Sequence, residues 1–236
     1  GKEVPGIQAR MRLFLQFLGR LPGSSPHQGP LHLYHTITFG RPPTQVKVIV
    51  LDTRSYRDKH AIPSVGAWFR GVPILGKLTP LAAAASRYLA TDILGWTQSH
   101  QGDILGEEQW AWLDKELESS PAAFHIVVSS IQVFTSTPFL ESWGHFPAAR
   151  DRLVSVLERH APRGLLLVSG DVHFGEVASH PAPPHCEPPL MGNGSLVPVS
   201  WIPEVTSSGM THSCTTSANT RLWCPIMLDA YESHRL

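Results

Sequence analysis

The stretch Leu165–Glu176, LLLVSGDVHFGE, constrains the fold more than any other part of the sequence. Leu165 to Val168 are four consecutive apolar residues, the pattern of a short buried strand. Ser169 and Gly170 end that strand in a sharp turn. Asp171 and His173 then follow two residues apart. A carboxylate and an imidazole at the mouth of a buried strand are both metal-ligand types, and strand ends are where open α/β sheets bind ligands. On this stretch alone a second reading stands beside the first. A turn Asp bonding local backbone amides, with a His nearby, has the same pattern.

Two more apolar runs resemble the first. Val46–Leu51 follows Leu31–Phe39, whose polar–apolar alternation predicts a half-buried strand, and the two are expected to pair antiparallel. Phe124–Val128 is the third run. Helix-period segments separate the runs. Gly106–Gln109 opens one with acids in its first turn and Trp110, Leu113 and Leu117 as its apolar face. Pro147 begins another, with Leu153, Val154 and Leu157 inward. This alternation is an α/β signal. Val46–Leu51, Phe124–Val128 and Leu165–Val168 are expected in one sheet, with 165–168 deeply buried.

Each strand end carries polar residues. Asp52-Thr53-Arg54 and Arg57 follow the run at 46–51. They suit either phosphate binding through guanidinium forks or an Asp–Arg network pinning the loop. Ser129–Gln132 follows the run at 124–128 and leads to Glu141-Ser142-Trp143. An aromatic there contacts substrate or, more commonly, packs on the core. Trp201–Thr206 is predicted as a strand. His212, shortly after it, is a candidate phosphate contact or a surface histidine. The three strand ends are expected to line one open cleft.

Elsewhere the chain is less directive. Ala9–Leu21 has apolar residues at 11, 14, 15 and 18, a helical spacing. Its three arginines and short length favour a helix packed on the body over one lying on a membrane surface. Thr79-Pro80 starts an Ala-rich helix through about Leu94. The segment after Val177 is loop-rich, with five prolines between Pro181 and Pro189.

Composition excludes some functions. Lys and Arg together number 19, as do Asp and Glu, so no charge excess points to a nucleic-acid partner. The least charged stretch, Leu78–Trp96, is interrupted by Arg87 and Asp92 and does not read as a transmembrane span. Cys186, Cys214 and Cys224 allow one disulfide at most. Asn193-Gly194-Ser195 is a glycosylation sequon, meaningful only in the secretory pathway. The chain opens on Gly1 without a signal-peptide pattern and reads as a piece of a longer protein.

Six segments taken together carry a resemblance: VKVIVLDTRSYRD, LGEEQWAWLDKEL, AFHIVVSSIQV, ESWGHFPAARDRLVSVL, LLLVSGDVHFGE and EVTSSGMTHS. In this order they resemble the PhoD-like alkaline phosphatases of the calcineurin-like metallophosphoesterase superfamily. The match runs from about Leu31 to His212, with 63–106 and 181–199 as insertions or loops. The resemblance implies an α/β fold, a β-sandwich of mixed sheets flanked by helices. It implies hydrolysis of phosphate mono- or diesters at a multi-metal centre, with iron and calcium the suggested ions. Asp171 and His173 match the family's late metal ligands. Arg54, Trp143 and His212 are the candidate substrate contacts.

The sequence departs from the family pattern in its earlier half. Its asparagines are Asn193 and Asn219, neither followed by His, and no Gly-Asp-x-x-Tyr motif occurs. The whole chain, 1–236, therefore reads as the C-terminal part of a single PhoD-like domain that lacks the N-terminal metal ligands. The alternative is a non-catalytic protein of the same scaffold, acting as a binding or regulatory module.

Overall fold

The computed structural model describes residues 1–19, 31–62, 79–118, 120–135, 139–160, 163–181 and 201–209, with Pro225. The apolar runs form the centre of a six-stranded mixed sheet. Strands β1 (His35–Phe39) and β2 (Val46–Val50) pair antiparallel, in the register His35 to Val50. Next to β2 lies β3 (Phe124–Val128), and next to β3 lies β4 (Leu165–Ser169), both pairings parallel. Then β6 (Trp201–Ser207) pairs parallel to β4, and β5 (Gly175–Pro181) closes the order, antiparallel to β6. The fold is α/β, as the strand–helix alternation predicts.

Parallel neighbours need crossovers, and helices provide them. Helix α3 (Glu107–Leu117) joins β2 to β3, and α4 (Pro147–His160) joins β3 to β4. Their apolar sides bury Trp110, Leu113 and Leu117 from α3, and Ala149, Leu153, Val156 and Leu157 from α4. Val156, rather than Val154, completes the inward face of α4. These side chains form one core with Ile49, Val127 and Leu167, which the register aligns across three strands. Arg152 of α4 lies over the Trp110 ring at 4.7 Å and bonds Glu107 through both terminal nitrogens, tying the two helices outside the core.

The burial expected of 165–168 is only partly observed. Leu167 is fully buried, whereas Leu165, Leu166 and Val168 are half-buried. The reason is layering. Successive strand residues face opposite sides of a sheet, and α3 and α4 cover one side. On the other side a row of valines, Val50, Val128, Val168 and Val205, crosses four strands in register and is half-buried. The described residues hold this one sheet, where the resemblance implies two.

Three elements differ from expectation in detail. Helix α2 (Thr79–Tyr88) forms where Thr79-Pro80 predicts it, then widens into a π-turn at Leu89–Ile93. The four residues after Val177, as far as Pro181, continue as β5 rather than loop, and 182–200 lie outside the described residues; the polar residues of β5 suit an edge strand. Helix α1 spans Ile7–Phe17 but is not packed along its apolar side: only Met11 is buried. The three cysteines and the Asn193 sequon lie outside the described residues.

Candidate active site

Because β2, β3, β4 and β6 run parallel, their C-terminal ends meet on one edge of the sheet. Three of the predicted site segments start from these ends. After β2, Asp52 turns the chain: its Oδ1 accepts from the backbone N–H of Arg54 at 3.0 Å and of Ser55 at 2.9 Å. Gln109 of α3 locks the same residue, accepting from Asp52 N at 2.8 Å and donating to its carbonyl at 3.0 Å. Thr53 and Ser130 hydrogen-bond through their hydroxyls, joining the ends of β2 and β3. Asp52 thus acts as a loop fastener, with its side chain buried.

The guanidiniums that follow converge on Glu141. Arg54 Nη1 donates to Glu141 Oε1 at 3.0 Å, Arg57 Nη1 donates to the same oxygen, and His60 Nε2 lies 3.4 Å from it. Arg87 of α2 donates to the Phe139 carbonyl at 3.1 Å, on the same loop. Burial, and then Arg54 beside it, pull Arg57 below its ordinary value, and burial does the same to Arg87. Burial and then the nearby charge of Arg57 lower His60 to about 3, so it is neutral at pH 7. The loop is pinned as one of the two sequence readings expects, with Glu141 rather than Asp52 as the partner of the arginines. The network pins the loop, and it leaves the guanidinium of Arg54 half-exposed, with Nη2 3.6 Å from Asp171 Oδ1.

Asp171 and His173 sit on an arch. Strands β4 and β5 do not touch, because β6 lies between them. Gly170–Phe174 must therefore cross the end of β6, a span of two strand spacings, about 10 Å. Register agrees, since Ser169 pairs with Thr206 and Gly175 with Ser207. The arch turns through left-handed backbone at both candidate ligands, φ 78° at Asp171 and φ 65° at His173. Such conformations cost roughly 1–3 kcal/mol each in a non-glycine residue and cluster at functional sites. Asp tolerates the region better than most, as its short polar side chain bonds locally.

Beneath the arch is a polar network that sequence reasoning missed. Gln132 donates to Glu176 Oε2 at 2.6 Å and to Thr206 Oγ1 at 3.1 Å, and Ser169 Oγ lies 2.8 Å from that hydroxyl. Glu204 is buried and accepts from the backbone N–H of Val133 at 2.8 Å and Phe134 at 2.7 Å. Burial raises its pKa despite these bonds. The signal available in the sequence was a lone carboxylate inside an apolar β-rich run, Trp201–Thr206.

Other candidates fall elsewhere. Trp143 is wholly buried in the core, its indole N–H donating to Ser129 Oγ at 3.0 Å, so it packs and does not reach the cleft. His212 lies outside the described residues. A second D-x-H pattern, Asp58-Lys59-His60, follows β2. Its Asp58 pairs with Lys2 and accepts from Asp103 N at 2.9 Å, while His60 faces Glu141, so the two side chains serve different loops.

Metal ligation can be tested against this geometry. Among the described residues, no three His, Cys, Asp or Glu side chains come together to hold an ion. The ion pair recorded at Asp171 is with Arg54, a cation. The described residues alone therefore do not fit a complete metal centre, which needs more donors than one turn supplies.

Known proteins bear on the same residues. The chain is 25% identical over 160 residues to alkaline phosphatase D of Bacillus subtilis (strain 168), a match covering 64% of this chain and 22% of that protein. It thus spans about a fifth of the length of that relative. A solved structure titled "Structure of PhoD" aligns with 89% of this chain and 35% of its own, at 22% identity and a TM-score of 0.49. The model of the family described as PhoD-like phosphatase matches residues 12–216, a span that runs from α1 through every strand of the sheet and both sides of the arch. The chain belongs to the PhoD-like phosphatase family.

Proposed function

We propose that this chain is the C-terminal part of a PhoD-like domain that hydrolyses phosphate mono- or diesters. The observation that carries the reading is the approach of Arg54 to Asp171 at the parallel strand ends, with His173 two residues further along the same arch. Asp171 and His173 contribute two donors to a metal centre, iron with calcium by family likeness. The remaining donors come from residues outside those described. The half-exposed Arg54 guanidinium, fixed by Glu141, binds and orients a phosphoryl oxygen of the substrate. The half-buried valine row on the sheet face away from α3 and α4 supports the partial-domain reading, as it is the kind of surface a second sheet covers.

The second reading is a non-catalytic binding or regulatory protein on this scaffold. What favours it is the Arg54–Asp171 approach: a carboxylate compensated by a guanidinium does not require a metal.

The test is hydrolysis of p-nitrophenyl phosphate and bis-p-nitrophenyl phosphate with iron, calcium, manganese and zinc added in turn. It is run on this chain and on a form extended upstream. The expected result is negligible turnover by the chain and metal-dependent turnover by the extended form. That turnover should disappear in Asp171→Asn and His173→Ala. Metal-dependent turnover by the chain alone would show that the site is complete within it. No turnover by a folded, extended form would leave the non-catalytic reading standing.

A further inference from the structure

Helix α1 and the residue that caps it carry four exposed apolar side chains near one another in sequence. Leu13 is 65% exposed and Phe17 84%, with Phe14 and Leu18 about half-exposed. They form two i, i+4 pairs, Leu13 with Phe17 and Phe14 with Leu18, on neighbouring rows of the helix surface. A surface helix of a globular body normally turns such rows inward. Here Met11 alone is buried, and the rows face solvent.

Charge says what these rows suit. Arg10 and Arg12 lie on the same helix, both exposed, and neither has an ion pair among the described residues. The helix has no acid. From Val4 to Leu51 the sequence contains no Asp or Glu, against five basic residues, Arg10, Arg12, Arg20, Arg41 and Lys47. Two copies meeting through α1 would bring four unpaired guanidiniums together, which disfavours self-association through this face. An apolar stripe with Arg10 between its rows, on a helix with a second arginine, Arg12, and no acid, matches a lipid surface bearing negative headgroups. Arg10, one turn before Phe14, can keep its head in the headgroup layer while its stem lies along the apolar rows. At 11 residues the helix lies along a bilayer and does not cross it.

We infer that α1 is an interfacial helix that docks this protein on anionic membrane surfaces, through Leu13, Phe14, Phe17 and Leu18 with Arg10 and Arg12. The inference is independent of the hydrolytic reading, since it invokes no residue of the strand-end site.

The experiment is vesicle flotation of the chain with phosphatidylcholine alone and with phosphatidylcholine and phosphatidylserine at a 7:3 ratio. Binding is expected to the anionic vesicles, and 0.5 M NaCl should weaken it. Phe14→Ser with Phe17→Ser should lower it at least about tenfold, while circular dichroism stays unchanged because both side chains are exposed. Arg10→Gln with Arg12→Gln should lower it about tenfold on anionic vesicles and little on neutral ones. Absence of binding would overturn the inference. Binding unaffected by both pairs of substitutions would overturn it too, assigning adhesion to another surface such as the valine face. So would light scattering that shows a dimer dissociated by Phe14→Ser with Phe17→Ser, assigning the rows to a second copy.

Discussion

Arg54 Nη2 stands 3.6 Å from Asp171 Oδ1, bringing the loop after β2 against the arch that leaves β4. Both side chains are nearly half-exposed, so water and salt screen the pair and its worth to stability is small. Arg54→Ala should change unfolding free energy in urea by less than about 1 kcal/mol. In an active, extended form the same substitution should raise KM for p-nitrophenyl phosphate about tenfold or more, since a charge-assisted bond to phosphate is lost. A large stability loss with unchanged KM would make Arg54 a structural residue.

Glu141 is the opposite case. It is mostly buried and answers Arg54, Arg57 and His60 together. Glu141→Gln removes the charge and leaves the buried guanidinium of Arg57 without its counterion. A loss of about 2–3 kcal/mol is expected in urea unfolding. A change below about 0.5 kcal/mol would show that the loop is held by other contacts.

The left-handed arch makes a paired prediction. Asp171→Gly relieves the backbone and should stabilise the chain by about 0.5–1 kcal/mol, net of the added freedom of the unfolded chain. Asp171→Val, β-branched at a φ of 78°, should destabilise it by about 1–2 kcal/mol. Thermal unfolding of the two variants side by side checks the sign. If glycine destabilises as much as valine, the arch is not strained at this residue.

His60 gives a pH dependence. Its folded pKa of about 3 lies below the unfolded value near 6.5. A lowered folded pKa means the unfolded chain takes up the proton first. The stability that depends on neutral His60 is therefore fully present above about pH 6.5. It is lost as pH falls from there toward about 3, at a limiting slope of about 1.4 kcal/mol per pH unit for one proton. His60→Gln should flatten the acid limb of a stability-against-pH curve by that one proton. An unchanged limb would assign it to other groups, among them His125, which burial also lowers.

Ser129 supports a core contact. Its hydroxyl accepts from the Trp143 indole and donates to the Ile131 carbonyl at 2.6 Å. Ser129→Ala leaves the buried indole N–H unpaired and should cost about 1–3 kcal/mol by urea titration. Ser129→Thr, which keeps the hydroxyl, reports how much of that loss is the hydrogen bond.

Strands β2, β3 and β4 were legible because each is mostly apolar, interrupted only by Lys47 in β2 and His125 in β3 before the polar end of β4, and α3 and α4 because their apolar residues recur at helical spacing. What escaped depends on partners distant in sequence. Trp143 on a loop looks the same whether it meets solvent or Ser129. Strand β5 alternates polar and small residues and ends in proline, so nothing local separates it from a turn; only its pairing with β6 makes it a strand. Asp171 and His173 were legible as residue types, but their left-handed backbone was not, because it follows from β6 lying between β4 and β5. Phe14 of α1 and Leu18 at its C-cap were legible as members of an apolar face and their exposure was not, since periodicity says which residues share a face and not what that face meets.

The strand order β4-β6-β5 also sets a sequence of events for a chain leaving the ribosome. Strands β1 to β4 can assemble as each emerges, every one beside a neighbour already made. Strand β5 then appears before its partner β6 exists, and Gly170–Phe174 has nothing beneath it. Only when Trp201–Ser207 arrives does a strand slot in beside β4 and give β5 a partner. Asp171 and His173 are thus synthesised well before they can be positioned. During that interval the nascent chain shows an unpaired β4 edge, and a ribosome stalled before residue 201 would carry a sheet of four strands with no arch across it.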